Sequence, residues 1–104
     1  SRRTDRATGQ GKIFSYIHHS SKIGSMVEVL CETDFVARND LFEELGKNLS
    51  LQIASLDPKD SEELKSQDFI KDPAKKIEDL VKEVIAKTGE NVQIGKFVRF
   101  EIGE

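Results

Sequence analysis

The sequence predicts an α+β fold, in which a three-stranded antiparallel sheet carries two helices on one of its faces, in the order ββααβ. Apolar and polar residues alternate in three segments, which is typical of strands. Apolar residues recur every three or four positions in two others, which is typical of helices. The 104 residues are enough for one domain around one core.

Composition narrows the functional classes. The chain has 16 Lys and Arg against 19 Asp and Glu, so it carries no overall basic field for nucleic acid. No apolar run approaches the roughly 18 residues of a membrane span, and the N-terminus lacks the apolar core of a secretory signal. The single cysteine, Cys31, cannot form an internal disulfide, which suits a reducing compartment. We therefore expect a soluble chain of the cytoplasm or an organelle matrix, without a membrane partner.

Two strands joined by a hairpin turn are predicted in the first third of the chain. The alternation over 12–19 and 23–33 indicates antiparallel strands, and the polar stretch between them indicates the turn. We expect Ile17, Val27 and Val29 to share the face that the helices cover. Apolar side chains on the opposite face invite a second copy of the chain, sheet against sheet. This predicted dimer face comprises Phe14, Tyr16, Met26, Leu30 and Phe97.

Both helices are predicted from their periodicity and their terminal residues. The first covers about 40–54, with Asn39 as its N-cap. The second is capped by Asp72 and begins at Pro73, because proline is well tolerated in the first helical position. Gly89 is the expected stop signal at its C-terminus.

The other segments are predicted from their turn residues. The stretch 55–71 is acidic and rich in residues that break helices, which predicts a linker loop that can include one helical turn. The final strand covers 92–102, and Gly95 marks a bulge in it. Residues 1–11 are polar and could be a frayed tail or the last turns of a helix. Three apolar residues of the loop can pin it to the body: Leu64, Phe69 and Ile70.

Catalysis and metal binding find little support. Cys31 could act as a nucleophile only with His18 or His19, and these lie at the predicted turn, roughly 25 Å along the strand from the thiol. No glycine-rich loop precedes a Lys-Ser/Thr pair, so a phosphate cradle is not indicated. The acidic residues near Cys31 lack a metal-ligand spacing. We therefore predict no enzyme activity, no metal and no cofactor.

The N-terminal arginines are the one feature that could bind nucleic acid. Arg2, Arg3 and Arg6 could hold phosphates. However, the rest of the chain is acidic, and the predicted sheet has no pair of stacking aromatics among lysines. We expect no direct contact with nucleic acid.

Phe35 occupies an unusual position at the junction between the second strand and the first helix. Junctions of this kind lie at the surface, where a large apolar ring has to be covered. Asp34 and Arg38 flank the ring, and the helix cap Asn39 follows, which makes the segment a projecting corner. Two interpretations stay open, a core residue of this chain or an exposed anchor for another protein.

Several motifs together resemble one protein family. They are CETDFVARN at 31–39, SYIHH at 15–19, KIG at 22–24, GEN at 89–91 and RFE at 99–101. These motifs closely resemble the elongation factor Ts family of bacteria and organelles, over nearly the whole chain apart from the middle loop. The resemblance implies that 12–104 is the core or dimerisation domain of such a factor, and that 1–11 connects it to an N-terminal helical module.

The resemblance also implies a function. Members of the family are guanine-nucleotide exchange factors for elongation factor Tu, the GTPase that delivers aminoacyl-tRNA to the ribosome. It implies that Asp34 and Phe35 enter the GTPase beside its magnesium and phosphate site, and that His18 or His19 belongs to a second contact region. The other implied partner contacts are Thr33, Val36, Arg38 and Asn39. A homodimer is expected, and a dimerisation module without exchange activity of its own stays open as the alternative.

Overall fold

An antiparallel sheet with helices packed on one face organises the fold. The computed structural model describes residues 5–103. In chain order its elements are strand β1 (Gln10–Ile17), strand β2 (Ile23–Cys31), helix α1 (Asp34–Ala37), helix α2 (Asp40–Leu56), helix α3 (Ser61–Ser66), strand β3 (Asp68–Phe69), strand β4 (Asp72–Lys76), helix α4 (Ile77–Thr88) and strand β5 (Gln93–Glu101). Strands β1, β2 and β5 form the sheet with β2 in its centre, and all pairs are antiparallel. The predicted α+β class with a three-stranded antiparallel sheet is confirmed.

The β1–β2 hairpin sets the long axis of the sheet. Ile17 pairs with Gly24 next to the turn, and Gln10 pairs with Cys31 at the far end. The turn closes through the Ser21 N–H, which donates to the His18 carbonyl at 2.8 Å. The nine residues of β2 separate the two ends by roughly 26 Å at strand rise. Because β1 begins at Gln10, it includes the last two residues of the predicted connector.

The assignment of side chains to the two faces of the sheet was partly wrong. Phe14 pairs with Val27, and Val27 pairs with Phe97, so these three share one face. That face is the one covered by the helices, since Phe14 and Val27 are buried in the core and Phe97 packs against it. Tyr16 pairs with the buried Ser25 and lies on the same face. Phe14, Tyr16 and Phe97 therefore do not belong to the uncovered face.

The error has a physical cause in helix α2. Both faces of β1 carry apolar side chains, so alternation alone cannot say which face is inward. Helix α2 packs across β1 and β2, and its Gly46 lies directly on the Phe14 ring. The missing side chain at Gly46 makes the room that the ring fills. On the opposite face, Met26 and Leu30 lie where they were expected, together with large apolar side chains that are exposed. We call this uncovered surface the outer face, and its exposed members are Ile13, Ile17, Met26, Val98, Phe100 and Ile102.

A bulge in β5 adjusts this strand to the core. The register shifts between Val27 and Val29, where Glu28 faces the two residues Gly95 and Lys96. The Lys96 N–H donates to the Glu28 side chain at 2.9 Å. Because of the extra residue, Ile94 and Phe97 both reach the core although they are three positions apart. The bulge predicted at Gly95 is confirmed.

Helix α2 supplies the largest part of the core. The Asn39 side chain accepts a hydrogen bond from the Leu41 N–H at 2.8 Å, which confirms the predicted N-cap. The helix ends at Leu56, two residues later than expected, and its C-cap Asp57 adopts a left-handed conformation. Helix α4 packs against α2 and ends at Gly89, also left-handed, as predicted. The buried apolar residues of α2 are Phe42, Leu45, Leu49, Ile53 and Ala54.

The segment between α2 and α4 is more ordered than the predicted linker. It forms helix α3, capped by Asp60, and a small β3–β4 hairpin. Leu64 and Phe69 are buried as expected, whereas Ile70 is exposed. The side chain of the buried Gln52 fixes the hairpin by three hydrogen bonds of 3.0–3.1 Å, to Gln67, to the Asp68 carbonyl and to the Ile70 N–H.

The predicted start of the last helix was wrong. Asp72 and Pro73 belong to β4, and α4 begins at Ile77. Proline suits the edge of a sheet as well as the first turn of a helix, so its presence did not discriminate. Pairing of Asp72 with Phe69 holds the segment extended, and the buried Ile77 then opens the helix.

Candidate functional site

Phe35 projects from a single helical turn at the end of the sheet. Helix α1 contains four residues, of which Val36 and Ala37 are buried and Phe35 is 77% exposed. The turn therefore points two small apolar residues into the core and the large ring outwards. We refer to residues 33–39 as the Phe35 corner. Of the two interpretations left open by the sequence, the exposed ring is the one observed.

The Phe35 corner consists of two helix starts in succession. The Thr33 hydroxyl oxygen accepts a hydrogen bond from the Val36 N–H at 3.3 Å and caps α1. Asn39 donates its own N–H to the Val36 carbonyl at 2.9 Å and then caps α2. The backbone between the two caps is thus held at both ends, and Phe35 lies between them.

Charged side chains frame the exposed ring. Arg38 and Asp34 form an ion pair of 3.4 Å, and the Arg38 guanidinium lies 5.8 Å from the centre of the Phe35 ring. All three side chains are largely exposed, so these contacts add little to folding. What they present to a partner is an apolar ring with a carboxylate and a guanidinium beside it.

Glu90 holds the corner from behind. Its Oε1 accepts hydrogen bonds from the Glu32 and Thr33 N–H groups, both at 3.1 Å. Its Oε2 accepts one from the Thr33 hydroxyl at 2.6 Å. In return the Glu32 carboxylate accepts a hydrogen bond from the Asn91 N–H.

Sequence reasoning missed this role of Glu90. The residue follows the helix stop at Gly89, which marks a loop but not the partner of that loop. Glu90 and Thr33 are 57 positions apart, and no local rule connects them. The sequence carried two signals at this position, an acidic side chain directly after a helix end and the GEN motif at 89–91, and neither of them indicated the contact with Thr33.

The two predicted histidines lie at the other end of the sheet. Their rings stack with centres 4.0 Å apart, and the Ser20 N–H donates to Nδ1 of His18 at 3.1 Å. They belong to the turn after β1, whereas the Phe35 corner follows the last residue of β2. The structure therefore brings Thr33, Asp34, Val36, Arg38 and Asn39 together around Phe35, and it keeps His18 and His19 apart from them.

Cys31 lies in the core, next to the corner. It is fully buried, and its Sγ contacts the Thr33 carbonyl at 3.2 Å. Burial, and then the negative charge of Glu90, raises the pKa of the Cys31 thiol above its ordinary value of 9.0. The thiol is therefore protonated at neutral pH and is a poor nucleophile. The interpretation of Cys31 as a packed sheet residue is confirmed.

Two further kinds of site are absent from residues 5–103. No group of three or more His, Cys, Asp and Glu side chains in this range is arranged to hold a metal ion. None of the helices described in it has the length and apolarity that a membrane crossing requires. Arg2 and Arg3 lie outside the described residues. Arg6 is described, and it forms an ion pair of 3.7 Å with Glu32.

Comparison with known proteins identifies the family. A family model described as "Elongation factor TS" matches residues 32–104, a stretch that contains both the Phe35 corner and Glu90. The chain is 37% identical to elongation factor Ts of Oleidesulfovibrio alaskensis, over 98% of this chain and 74% of the relative. It is 35% identical to elongation factor Ts of Thermotoga neapolitana, over 99% and 74%. It is 33% identical to elongation factor Ts of Leptospira biflexa, over 98% of this chain and 74% of the relative. The resemblance seen in the sequence is confirmed, and the chain belongs to the elongation factor Ts family of translation elongation factors.

Proposed function

We propose that this chain promotes release of GDP from elongation factor Tu by inserting the Phe35 corner beside the magnesium and phosphate site of the GTPase. The observation that carries this proposal is the exposure of the Phe35 ring, 77%, on a turn that is held at both ends. Aromatic rings, phenylalanine included, are enriched in the buried centre of protein interfaces. Asp34 beside it brings a carboxylate to the same point, and carboxylate oxygens are ligands that magnesium accepts.

Thermodynamic linkage explains how binding at the corner becomes nucleotide release. A factor that binds the nucleotide-free GTPase more tightly than the GDP-bound form must lower the affinity of the GTPase for GDP by the same ratio. Burying one exposed phenylalanine is worth roughly 1.5–3 kcal/mol, which is about tenfold to a hundredfold in an equilibrium. Phe35 therefore supplies a part of the effect, and displacement of the magnesium ligands by the corner supplies the rest.

The hairpin turn is proposed as a second contact. His18 and His19 are roughly 26 Å from the end of β2, so a partner that touches both regions has to span the length of the sheet. The two contacts would fix the orientation of the chain on the GTPase, with the turn as the outer support and the corner as the inserted part.

A nucleotide-release assay tests the proposal. Elongation factor Tu loaded with fluorescent GDP is mixed with this chain and excess unlabelled GDP, and the loss of fluorescence is followed. We expect the chain to accelerate release, and Phe35→Ala to reduce the acceleration about tenfold or more. Phe100→Ala is the matched control, because its ring is 71% exposed but lies on the outer face. Equal activity of wild type and Phe35→Ala would refute insertion of the ring.

A second function, self-association, is favoured by the outer face. Met26, Val98 and Phe100 lie on adjacent strands with their apolar side chains exposed. Two such sheets can pack face to face about 10 Å apart, and a twofold axis makes the same surface complementary to itself. We propose a homodimer formed through this face. Unlike the predicted dimer face, it excludes Phe14, Tyr16 and Phe97, and it includes Ile17 and Phe100.

Sedimentation equilibrium tests the dimer. We expect the wild-type chain to associate and Phe100→Glu to shift it to a monomer, since a charge in the centre of a sheet contact is not solvated. Leu56→Glu is the control, because Leu56 is a partly exposed apolar residue at the end of α2, on the helical side. A monomeric wild-type chain would refute the dimer. A dimer without any effect on GDP release would identify a dimerisation module.

A further inference from the structure

We propose that Glu90 is a positioning residue for the exchange reaction, because its carboxylate holds the Phe35 corner in the conformation that presents the ring. This inference rests on the proposed function, since it concerns the same corner. Glu90 itself is not expected to touch the partner. It acts through Thr33, which it holds by both the main chain and the side chain.

The hydrogen bonds form a continuous path from α4 to the ring. Gly89 ends α4 in a left-handed conformation with φ 78°, and this turn directs the next residue, Glu90, towards the end of β2. The Glu90 carboxylate then accepts the N–H groups of Glu32 and Thr33 and the Thr33 hydroxyl. The oxygen of that hydroxyl in turn caps the Val36 N–H, in the turn that carries Phe35.

The corner needs such a support because its own interactions are weak. One helical turn is not stable by itself in water, since a helix nucleus fixes several residues for one hydrogen bond. The Asp34–Arg38 ion pair is exposed and contributes little. The three hydrogen bonds to Glu90 are charge-assisted and partly shielded from solvent, which makes them the strongest interactions at the base of the corner.

A second set of contacts holds the loop that carries Glu90. The Glu32 carboxylate accepts the Asn91 N–H and pairs with Arg6 at 3.7 Å. The Asn91 side chain donates to the Arg6 carbonyl at 2.8 Å. The loop and the end of β2 thus bind each other in both directions, so that Glu90 is itself fixed when it fixes Thr33.

Loss of this support should appear as a lower population of the presenting conformation. The apparent dissociation constant of a partner rises in proportion as that population falls. We expect Glu90→Ala to raise the concentration of chain needed for half-maximal GDP release from elongation factor Tu about tenfold, with the maximal rate nearly unchanged. Glu90→Gln keeps an acceptor for the two N–H groups but loses the charge. We expect it to raise the same half-maximal concentration about threefold. Glu78→Gln, which removes an exposed carboxylate on α4, is the control and should match wild type.

A double-mutant cycle with Phe35→Ala separates positioning from a general loss of stability. If Glu90 acts through Phe35, Glu90→Ala has an effect of about twofold or less in the Phe35→Ala background. Equal effects in both backgrounds, or no effect in the wild-type background, would overturn the positioning role. Where Glu90→Ala fails to fold, Glu90→Gln takes its place in the cycle.

Hydrogen exchange supplies a reading that does not depend on the GTPase. The amides of Glu32 and Thr33 should exchange faster in Glu90→Ala, while those of the β2 centre stay protected, and unchanged exchange at both amides would overturn the proposal. A failure of the proposed function gives a different result from a failure of the Glu90 proposal. In that case Phe35→Ala has normal GDP-release activity, while Glu90 still protects the amides of Glu32 and Thr33 from exchange.

Discussion

The contact between Gly46 and Phe14 allows a quantitative test of how the sheet carries its helices. A methyl group added at Gly46 would lie 2.1–2.3 Å from three atoms of the Phe14 ring, where ordinary contact begins at 3.4 Å. The ring would have to retreat by about 1 Å, and the Phe42 ring, with its centre 5.9 Å away, limits that movement. Severe overpacking of a core destabilises a protein by about 3 kcal/mol, and replacing a glycine inside a helix by alanine stabilises the helix by about 1 kcal/mol. We expect Gly46→Ala to lower the free energy of unfolding by about 2 kcal/mol.

Chemical and thermal unfolding measure this loss. For a chain of this size, 2 kcal/mol corresponds to a decrease in Tm of roughly 10 °C. The double variant Phe14→Leu/Gly46→Ala should lose about 1 kcal/mol less free energy of unfolding than the two single variants lose together, because leucine leaves space for the methyl group. A Gly46→Ala chain as stable as wild type would show that Phe14 does not lie on α2. The face assignment, and with it the definition of the outer face, would then be wrong.

Three further predictions concern the corner and its surroundings. Phe35→Ala should change the free energy of unfolding by less than about 1 kcal/mol, whereas Phe42→Ala, at a fully buried ring, should lower it by about 3–5 kcal/mol in the same urea titration. Similar losses for the two variants would contradict an exposed corner. Gly89→Ala should lower the free energy of unfolding by about 1 kcal/mol, because φ is 78° and no neighbouring atom crowds a methyl group there. Gly89→Asn should lower it less, because asparagine tolerates the left-handed conformation better, and equal thermal stability of the two variants would contradict a conformational cause. Because the pKa of Cys31 is raised in the folded chain, the thiol ionises at a lower pH in the unfolded chain than in the folded one. The contribution of the buried thiol to the free energy of unfolding is therefore complete below pH 9.0 and is lost as the pH rises through the folded pKa. Melting curves of wild type and Cys31→Ala from about pH 8 upwards should therefore converge or cross, and a constant difference would argue against a buried thiol.

The features predicted correctly from the sequence depend on neighbours in the chain. Asn39 caps the helix that begins one residue later, and Gly89 ends the helix directly before it. Gly95 marks a bulge within its own strand. In each case the physical cause, a hydrogen bond or an allowed backbone angle, acts within a few residues.

The features that sequence reasoning missed depend on distant contacts. Phe14 is inward because a glycine 32 positions later leaves space for its ring, and nothing near Phe14 indicates this. Pro73 is compatible with both a strand and a helix start, and the pairing of Asp72 with Phe69 decides between them. Glu90 meets Thr33 only after the sheet and α4 have been assembled. Tertiary packing therefore decided the points on which local preference was neutral.

The positions of the Phe35 corner and the outer face make insertion of the corner and self-association compatible. The apolar rows of the outer face lie near the turn, where Ile17, Gly24 and Phe100 are in register, followed by Met26 and Val98. Farther along β2 the same face carries the carboxylate of Glu28, which interrupts the apolar surface. A sheet-to-sheet contact is therefore centred on the turn half, whereas the Phe35 corner follows Cys31, roughly 23 Å from Gly24. Because a dimer formed this way leaves the corner uncovered, the monomeric variant Phe100→Glu should release GDP from elongation factor Tu as fast per chain as wild type. A large loss of activity in that monomer would mean that the two surfaces act together.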